Sequence, residues 1–166
     1  MHQSTSPLPT GVAVCREPAG EDGPRRVVAQ AEAELVERYG NLTANELELT
    51  ASTFDPPSGA FLIARAAGRP EPIGGVGLRG VRTGTAEVRR LWVDPAWRGR
   101  GVARALMAAL EDAAGELGFG DLELGTGDRQ PEAVALYTST GWRQRAVGAD
   151  GRPVPARTIR FTKSPA

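Results

Sequence analysis

The sequence predicts an α/β fold, a mixed sheet with helices on its faces, built as one domain. Three observations predict it. Apolar residues recur at helical spacing in three segments and in short strand-like runs in seven others, in the order β-α-β-β-β-α-β-α-β-β. That order is neither a repeat nor a run of one element type, so a mixed sheet covered by helices is expected. Finally, 166 residues with 40% hydrophobic and 24% charged side chains suit a single globular domain without disulfide or metal staples.

Each element has its own signal. Residues 1–10 carry Ser, Thr and Pro and little that can be buried, so they are expected to form a mobile tail, with the domain spanning 11–166. Gly11 to Arg16 reads as the first strand. Asp22 is expected to cap a helix with Pro24 in its first turn, running to about Tyr39 with Val28, Ala31, Leu35 and Tyr39 as its stripe and Gly40 as its end. Asn41 to Phe54 fits either a short helix or a packed loop. The turn at Asp55–Gly59 leads to three strands, Ala60–Ala66, Pro72–Arg82 and Ala86–Val93, joined by short polar turns as an antiparallel meander. Arg100 to Gly118 is a helix striped by Val102, Leu106, Ala109, Leu110, Ala113 and Leu117. Asp121–Leu124 is a short strand and Pro131–Thr140 a helix. Trp142–Val147 and Arg157–Thr162 form a closing hairpin around Asp150-Gly151.

Scarce residues narrow the chemistry. Cys15 is the one cysteine, so neither an internal disulfide nor a Cys-rich zinc site is expected. His2, the one histidine, lies in the tail, which argues against histidine triads and histidine metal clusters; no metal is expected. The formal net charge is zero, which argues against nucleic acid or an anionic membrane as the main partner. No apolar run approaches a membrane span and no signal peptide is evident, so a cytoplasmic location is expected. An enzyme built from this set would work with carboxylates, tyrosine, arginine and backbone dipoles. The single lysine, Lys163, among 20 basic residues reads as coding bias.

The informative stretch runs from Leu91 to Leu106, from strand through turn to helix. The expected first helical turn contains Gly99, Gly101 and Ala103, with Arg98, Arg100 and Arg104 beside them. Small residues let a ligand approach the amides at a helix start, which have no partner within the helix. The helix dipole favours an anion there by about 0.3–1 kcal/mol. Together these features describe a diphosphate cradle. A Walker loop is excluded because no Gly-Lys pair exists. A dinucleotide fingerprint is disfavoured because Arg104 stands where its third glycine belongs. The plain alternative is an arginine-rich helix start after a tight turn.

Arg98, Gly101 and Ala103 match R-x-x-G-x-[GA], which resembles the pyrophosphate loop of the GNAT superfamily of acyl-CoA-dependent N-acyltransferases. Gln130-Pro131-Glu132-Ala133-Val134-Ala135-Leu136-Tyr137, followed by Gly141-Trp142, resembles a second element of that family, N-x-x-A-x-x-L-Y-x-x-x-G-[FY]. The resemblance spans roughly residues 11–163. It implies a mostly antiparallel sheet in which two neighbouring strands splay apart near Trp92 and Leu124. It further implies that acetyl-CoA is the acyl donor, its pantetheine arm meeting the main chain of Leu91, Trp92 and Val93. Its pyrophosphate would meet Gly99, Arg100, Gly101, Val102, Ala103 and Arg104, and Gln130 would stand where the family has asparagine.

The implied reaction is direct attack of an amine on the thioester. Tyr137 would protonate the leaving thiolate, since a phenol of pKa about 10 keeps its proton at neutral pH; the alternative is a tyrosine packed in the core. The Val93 amide would polarise the carbonyl. The base is open. Gly125 occupies the position where some relatives carry glutamate, leaving Glu87 as the favoured candidate, directly or through water, and Glu123 as another. Glu87 is equally readable as a surface carboxylate paired with Arg89 or Arg90. Trp92 and Trp97 are expected to pack, and Asp94 to shape the turn before Pro95. The acceptor is expected to be a primary amine of a small molecule or a peptide, and the sequence does not identify it further. A homodimer through the closing hairpin is conceivable, and a non-catalytic acyl-CoA sensor is the competing reading.

Overall fold

A computed structural model describes residues 8–40 and 51–165. Most of the expected tail, His2 among it, and the ambiguous stretch up to residue 50 lie outside the described residues. The elements are β1 (Val12–Arg16), α1 (Asp22–Tyr39), β2 (Gly59–Ala66), β3 (Gly74–Arg82), β4 (Thr85–Val93), α2 (Val102–Glu116), β5 (Asp121–Gly127), α3 (Pro131–Ser139), β6 (Arg143–Arg145) and β7 (Thr158–Lys163). Short 3-10 turns at Ala51–Phe54 and Pro95–Trp97 complete them. The order agrees with the sequence reading.

The seven strands form one sheet in the order β1-β2-β3-β4-β5-β7-β6. Every described pairing is antiparallel except β4 with β5. The larger core lies on the face covered by α2 and α3, where Leu106, Leu110, Leu122, Leu124 and Phe161 are all at most 2% exposed. Burying each such side chain stabilises the fold by about 1.5–3 kcal/mol. A smaller core, with Val27, Ala31, Phe54, Phe61, Ile63 and Trp92, lies under α1.

Several local expectations need correction. Glu21, not Asp22, is the N-cap of α1 and makes no side-chain cap bond; Asp22 is the first helical residue and pairs with Arg26 at 2.7 Å. The buried side of α1 is Gly23, Pro24, Val27 and Ala31, with Leu35 and Tyr39 only half-buried. The reason lies in β3: a Cβ on Gly75 would come within 3.0 Å of Val27, so the helix beds onto a strand stripped of side chains. Gly77 serves the same approach for Phe54, whose ring would stand 2.7 Å from an added Cβ. Helix α2 starts at Val102, so Gly99 and Gly101 precede it, and it ends before Gly118 in a Schellman motif. There Phe119 N–H donates to Ala114 (2.9 Å) and Gly118 N–H to Gly115 (3.2 Å). Strand β5 runs on to Gly127, three residues beyond expectation, because β7 pairs with it through Gly127↔Thr158.

Candidate active site

The site begins with a defect in strand pairing. β4 and β5 pair only at Thr85↔Asp121, Ala86↔Leu122 and Glu87↔Glu123, and then diverge. The cause is visible on β4. Gly75 pairs with Trp92 and Gly77 with Arg89, so Arg90 and Leu91 together face Val76. Such a bulge bends its strand and increases its twist. Arg90 sits in it at φ 60°, a conformation uncommon outside glycine. Beyond the bulge, Asp94 N–H donates to Ile73 at 2.8 Å. Antiparallel alternation then turns the Val93 amide away from β3, toward the gap.

Two cavities adjoin at this gap and share Glu34, Leu91, Gln130 and Ala133. One, of about 600 Å³, is bordered by Trp92, Val93, the loop at Gly99 and Gly101, and the start of α2. The other, of about 560 Å³, opens toward α1 and is bordered by Glu87, Leu124, Gly125 and Tyr137.

The loop of the first cavity is built to present amides. Among the described residues, no N–H from Gly99 to Arg104 has a hydrogen-bond partner, whereas the next, of Ala105, donates to Gly101 at 3.1 Å. Gly99 (φ 75°) and Gly101 (φ 84°) carry the chain through the left-handed region, and a Cβ on either would meet nothing within 4 Å. The space above the loop is therefore open to a ligand. Asp94 fixes the entry to the loop, accepting from Ala96 N–H (2.9 Å) and from Arg69 (2.7 Å). The Ala96 bond, helped by Arg69 and Arg98, holds its carboxyl below the usual range.

The arginines of the motif divide. Arg98 turns back onto the protein, donating to the Val93 carbonyl (2.9 Å) and to Glu34 (2.6 Å) while still lining the first cavity. Arg104 also lines it and donates to Ser139 Oγ on α3 (2.9 Å). Arg100 does not line it; its guanidinium lies over the Trp97 ring, 5.2 Å from the centroid.

Tyr137 is 5% exposed and packs edge-on to Trp142 (5.8 Å) and tilted against Phe161 (5.6 Å). Burial pushes its phenol well above the ordinary value, so the proton stays on oxygen throughout the neutral range. Glu87 accepts from Arg89 and from Arg79, both at 3.1 Å. The Arg89 pairing matches the surface-pair alternative, and Arg79 is a partner the sequence did not suggest. Glu123 lines neither cavity: it is 8% exposed and clamped by Arg82 (2.5 Å) and Arg160 (2.7 Å). Gly125 borders the second cavity with its nearest neighbour, Thr158 Cγ2, at 3.5 Å from an added Cβ.

Residues 26–142 match the model of the acetyltransferase (GNAT) family. The chain belongs to the GNAT acetyltransferase family. It is 30% identical over 134 residues to a protein named IAA acetyltransferase from Azospirillum brasilense, covering 81% of this chain and 86% of that one. A GNAT-family acetyltransferase structure from Staphylococcus aureus superposes with TM-score 0.73 at 14% identity, covering 92% of this chain and 98% of the other. A GNAT acetyltransferase from Elizabethkingia anophelis, solved with acetyl-CoA bound, superposes with TM-score 0.64 at 18% identity over 94% and 99% of the two chains.

The sequence reading missed residues that border this GNAT site. Glu34 and Arg38 reach it from α1, and Arg157 reaches it from the connection before β7. The i, i+4 spacing of Glu34 and Arg38 marks one helical face, but which wall that face lines depends on how α1 beds onto the sheet. Among the described residues, no cluster of three His, Cys, Asp or Glu side chains is arranged to hold a metal, and no helix is long and apolar enough to cross a membrane.

Proposed function

We propose that the protein, through a domain spanning residues 11–166, transfers an acetyl group from acetyl-CoA to the nitrogen of a small amine. The observation that carries this reading is the run of unpartnered amides from Gly99 to Arg104, opening onto a cavity that adjoins the one bordered by Tyr137. A diphosphate suits those amides through hydrogen bonds and the dipole of α2. The Leu91–Val93 main chain, unpaired with β5, offers an edge to an extended pantetheine arm. The Val93 amide suits a developing negative charge on the acyl oxygen. Tyr137, which keeps its proton, suits delivery of that proton to the departing sulfur. Glu87 takes the amine proton through water, since arginines already engage both its oxygens. Gln130, on both cavities, supports the donor at the gap.

Calorimetric titration with acetyl-CoA tests the first half, and binding in the micromolar range is expected; none at hundreds of micromolar overturns the reading. Thiol release with an amine panel tests the second. Engagement of both Glu87 oxygens, together with glycine at position 125, favours one rival: an acyl-CoA sensor that binds the thioester without turnover. Under that rival the titration succeeds and no amine in the panel releases thiol.

A further inference from the structure

The second cavity carries a charge imbalance that amine transfer alone does not need. Its lining holds four guanidiniums, of Arg38, Arg89, Arg90 and Arg157, against two carboxylates, of Glu34 and Glu87. Both carboxylates are also engaged from outside this cavity, Glu34 by Arg98 at 2.6 Å and Glu87 by Arg79 at 3.1 Å. The arginines are engaged as well, Arg38 by Glu132, Arg90 by Glu32 and Arg89 by Glu87, so with every partner counted the cavity keeps an excess of two positive charges in a chain whose formal net charge is zero.

Two of the arginines are held there by unusual backbone. Arg90 has a side chain only 6% exposed, on a bulge residue at φ 60°, with Glu32 3.9 Å away. Arg157 is exposed at φ 67°, and among the described residues its guanidinium makes no hydrogen bond or ion pair. Backbone in the left-handed region at a non-glycine residue is strained and tends to persist at ligand clamps. Keeping a guanidinium this buried also opposes its solvation.

We infer that this cavity takes an amine that also carries an oxyanion, a carboxylate or a phosphate, with Arg157 as its specificity-determining residue. A planar guanidinium binds either group through two parallel charge-assisted hydrogen bonds. The same positive field disfavours a second cation, so an acceptor anchored by its anion presents its nitrogen as the neutral amine that can attack. The volume, about 560 Å³, suits a small molecule. The inference rests on the acetyl-transfer reading and names the substrate class of the same site.

The experiment measures thiol release from acetyl-CoA with matched acceptors: α-amino acids, their amides, and an aminoalkyl phosphate. The expected result is a kcat/KM at least tenfold higher for an oxyanion-bearing amine than for its neutral counterpart. Arg157→Gln, a change at an exposed position, is expected to shrink that ratio at least fivefold through KM. A second measurement is independent of turnover. N-acetyl amino acids are titrated onto CoA-loaded protein beside their amides; the acids are expected to bind tighter, and R157Q to erase the difference. The carboxylate and phosphate arms identify the source of the oxyanion. Equal or better performance of the neutral partners in both measurements overturns the inference while leaving acetyl-CoA binding intact. Absence of acetyl-CoA binding overturns the transfer reading instead, and the same acids titrated onto ligand-free protein then decide the anion preference alone.

Discussion

Tyr137 joins the packing of the core to the proposed chemistry in one side chain. Replacing it by Phe keeps the ring contacts with Trp142 and Phe161, so stability should change by less than about 1 kcal/mol. The proton donor is lost, and kcat should fall by about 100-fold with little change in acetyl-CoA KM, as steady-state kinetics would show. Burial also makes a stability prediction. The unfolded phenol ionises near pH 10.0, and the folded one higher. Above that pH the folded state holds the extra proton, so stability is fully present below about pH 10 and declines as pH rises beyond it. Urea melts at pH 8 and pH 11 should show this decline, and Tyr137→Phe should lessen it. Tyr137 was legible in the sequence because its neighbours form a local motif. The Arg79 partner of Glu87 was not, because an irregularity between Gly80 and Arg82 shifts the register that the tight turn alone would set.

At the scale of the element, the β4–α2 loop concentrates the site's backbone requirements. Gly101 is at φ 84° with open space beside it, so Gly101→Ala meets no wall. Its penalty is conformational, about 1–2 kcal/mol by thermal melting. Acetyl-CoA affinity should fall at least tenfold by calorimetry, because the substitution works against the left-handed backbone that presents the amides. Asp94 anchors the same loop. Asp94→Asn weakens the bonds to Ala96 and Arg69 and should cost about 1 kcal/mol near neutral pH. Its depressed carboxyl gives stability that is present above the ordinary value of 3.8 and is lost as pH falls through the folded value. The difference between wild type and D94N should therefore narrow in acid melts. This loop was readable because glycines, arginines and helix start are contiguous. The bedding face of α1 was not, since it meets Gly75 across the sheet and small residues leave no hydrophobic stripe. The end of β5 was missed for a related reason: Gly125, Thr126 and Gly127 carry no apolar signal, and β7 extends the strand.

At the scale of the whole molecule, donor binding should be visible as stability. A ligand at 100 times its Kd adds about 2.7 kcal/mol to a state that alone binds it. For a domain of this size that corresponds to a rise of roughly 5–10 °C in Tm, measurable by calorimetry with and without CoA. Element order and the meander were legible because each rests on local periodicity and turn residues. The gap between β4 and β5 followed from family likeness; its physical origin, a bulge at Arg90 and Leu91, lies in a one-residue shift of register against Val76 on the neighbouring strand, which residue type does not announce.

Among the described residues, the three residue pairs between β4 and β5 are all that stitch β1–β4 to β5–β7 within the sheet. Hydrogen exchange should accordingly resolve two blocks of amides that open on separate schedules in the ligand-free protein. A thioester lying along the open seam would act as a zip: both blocks would slow together, and occupancy of the centre would be reported by β1 and β6, the strands farthest from it.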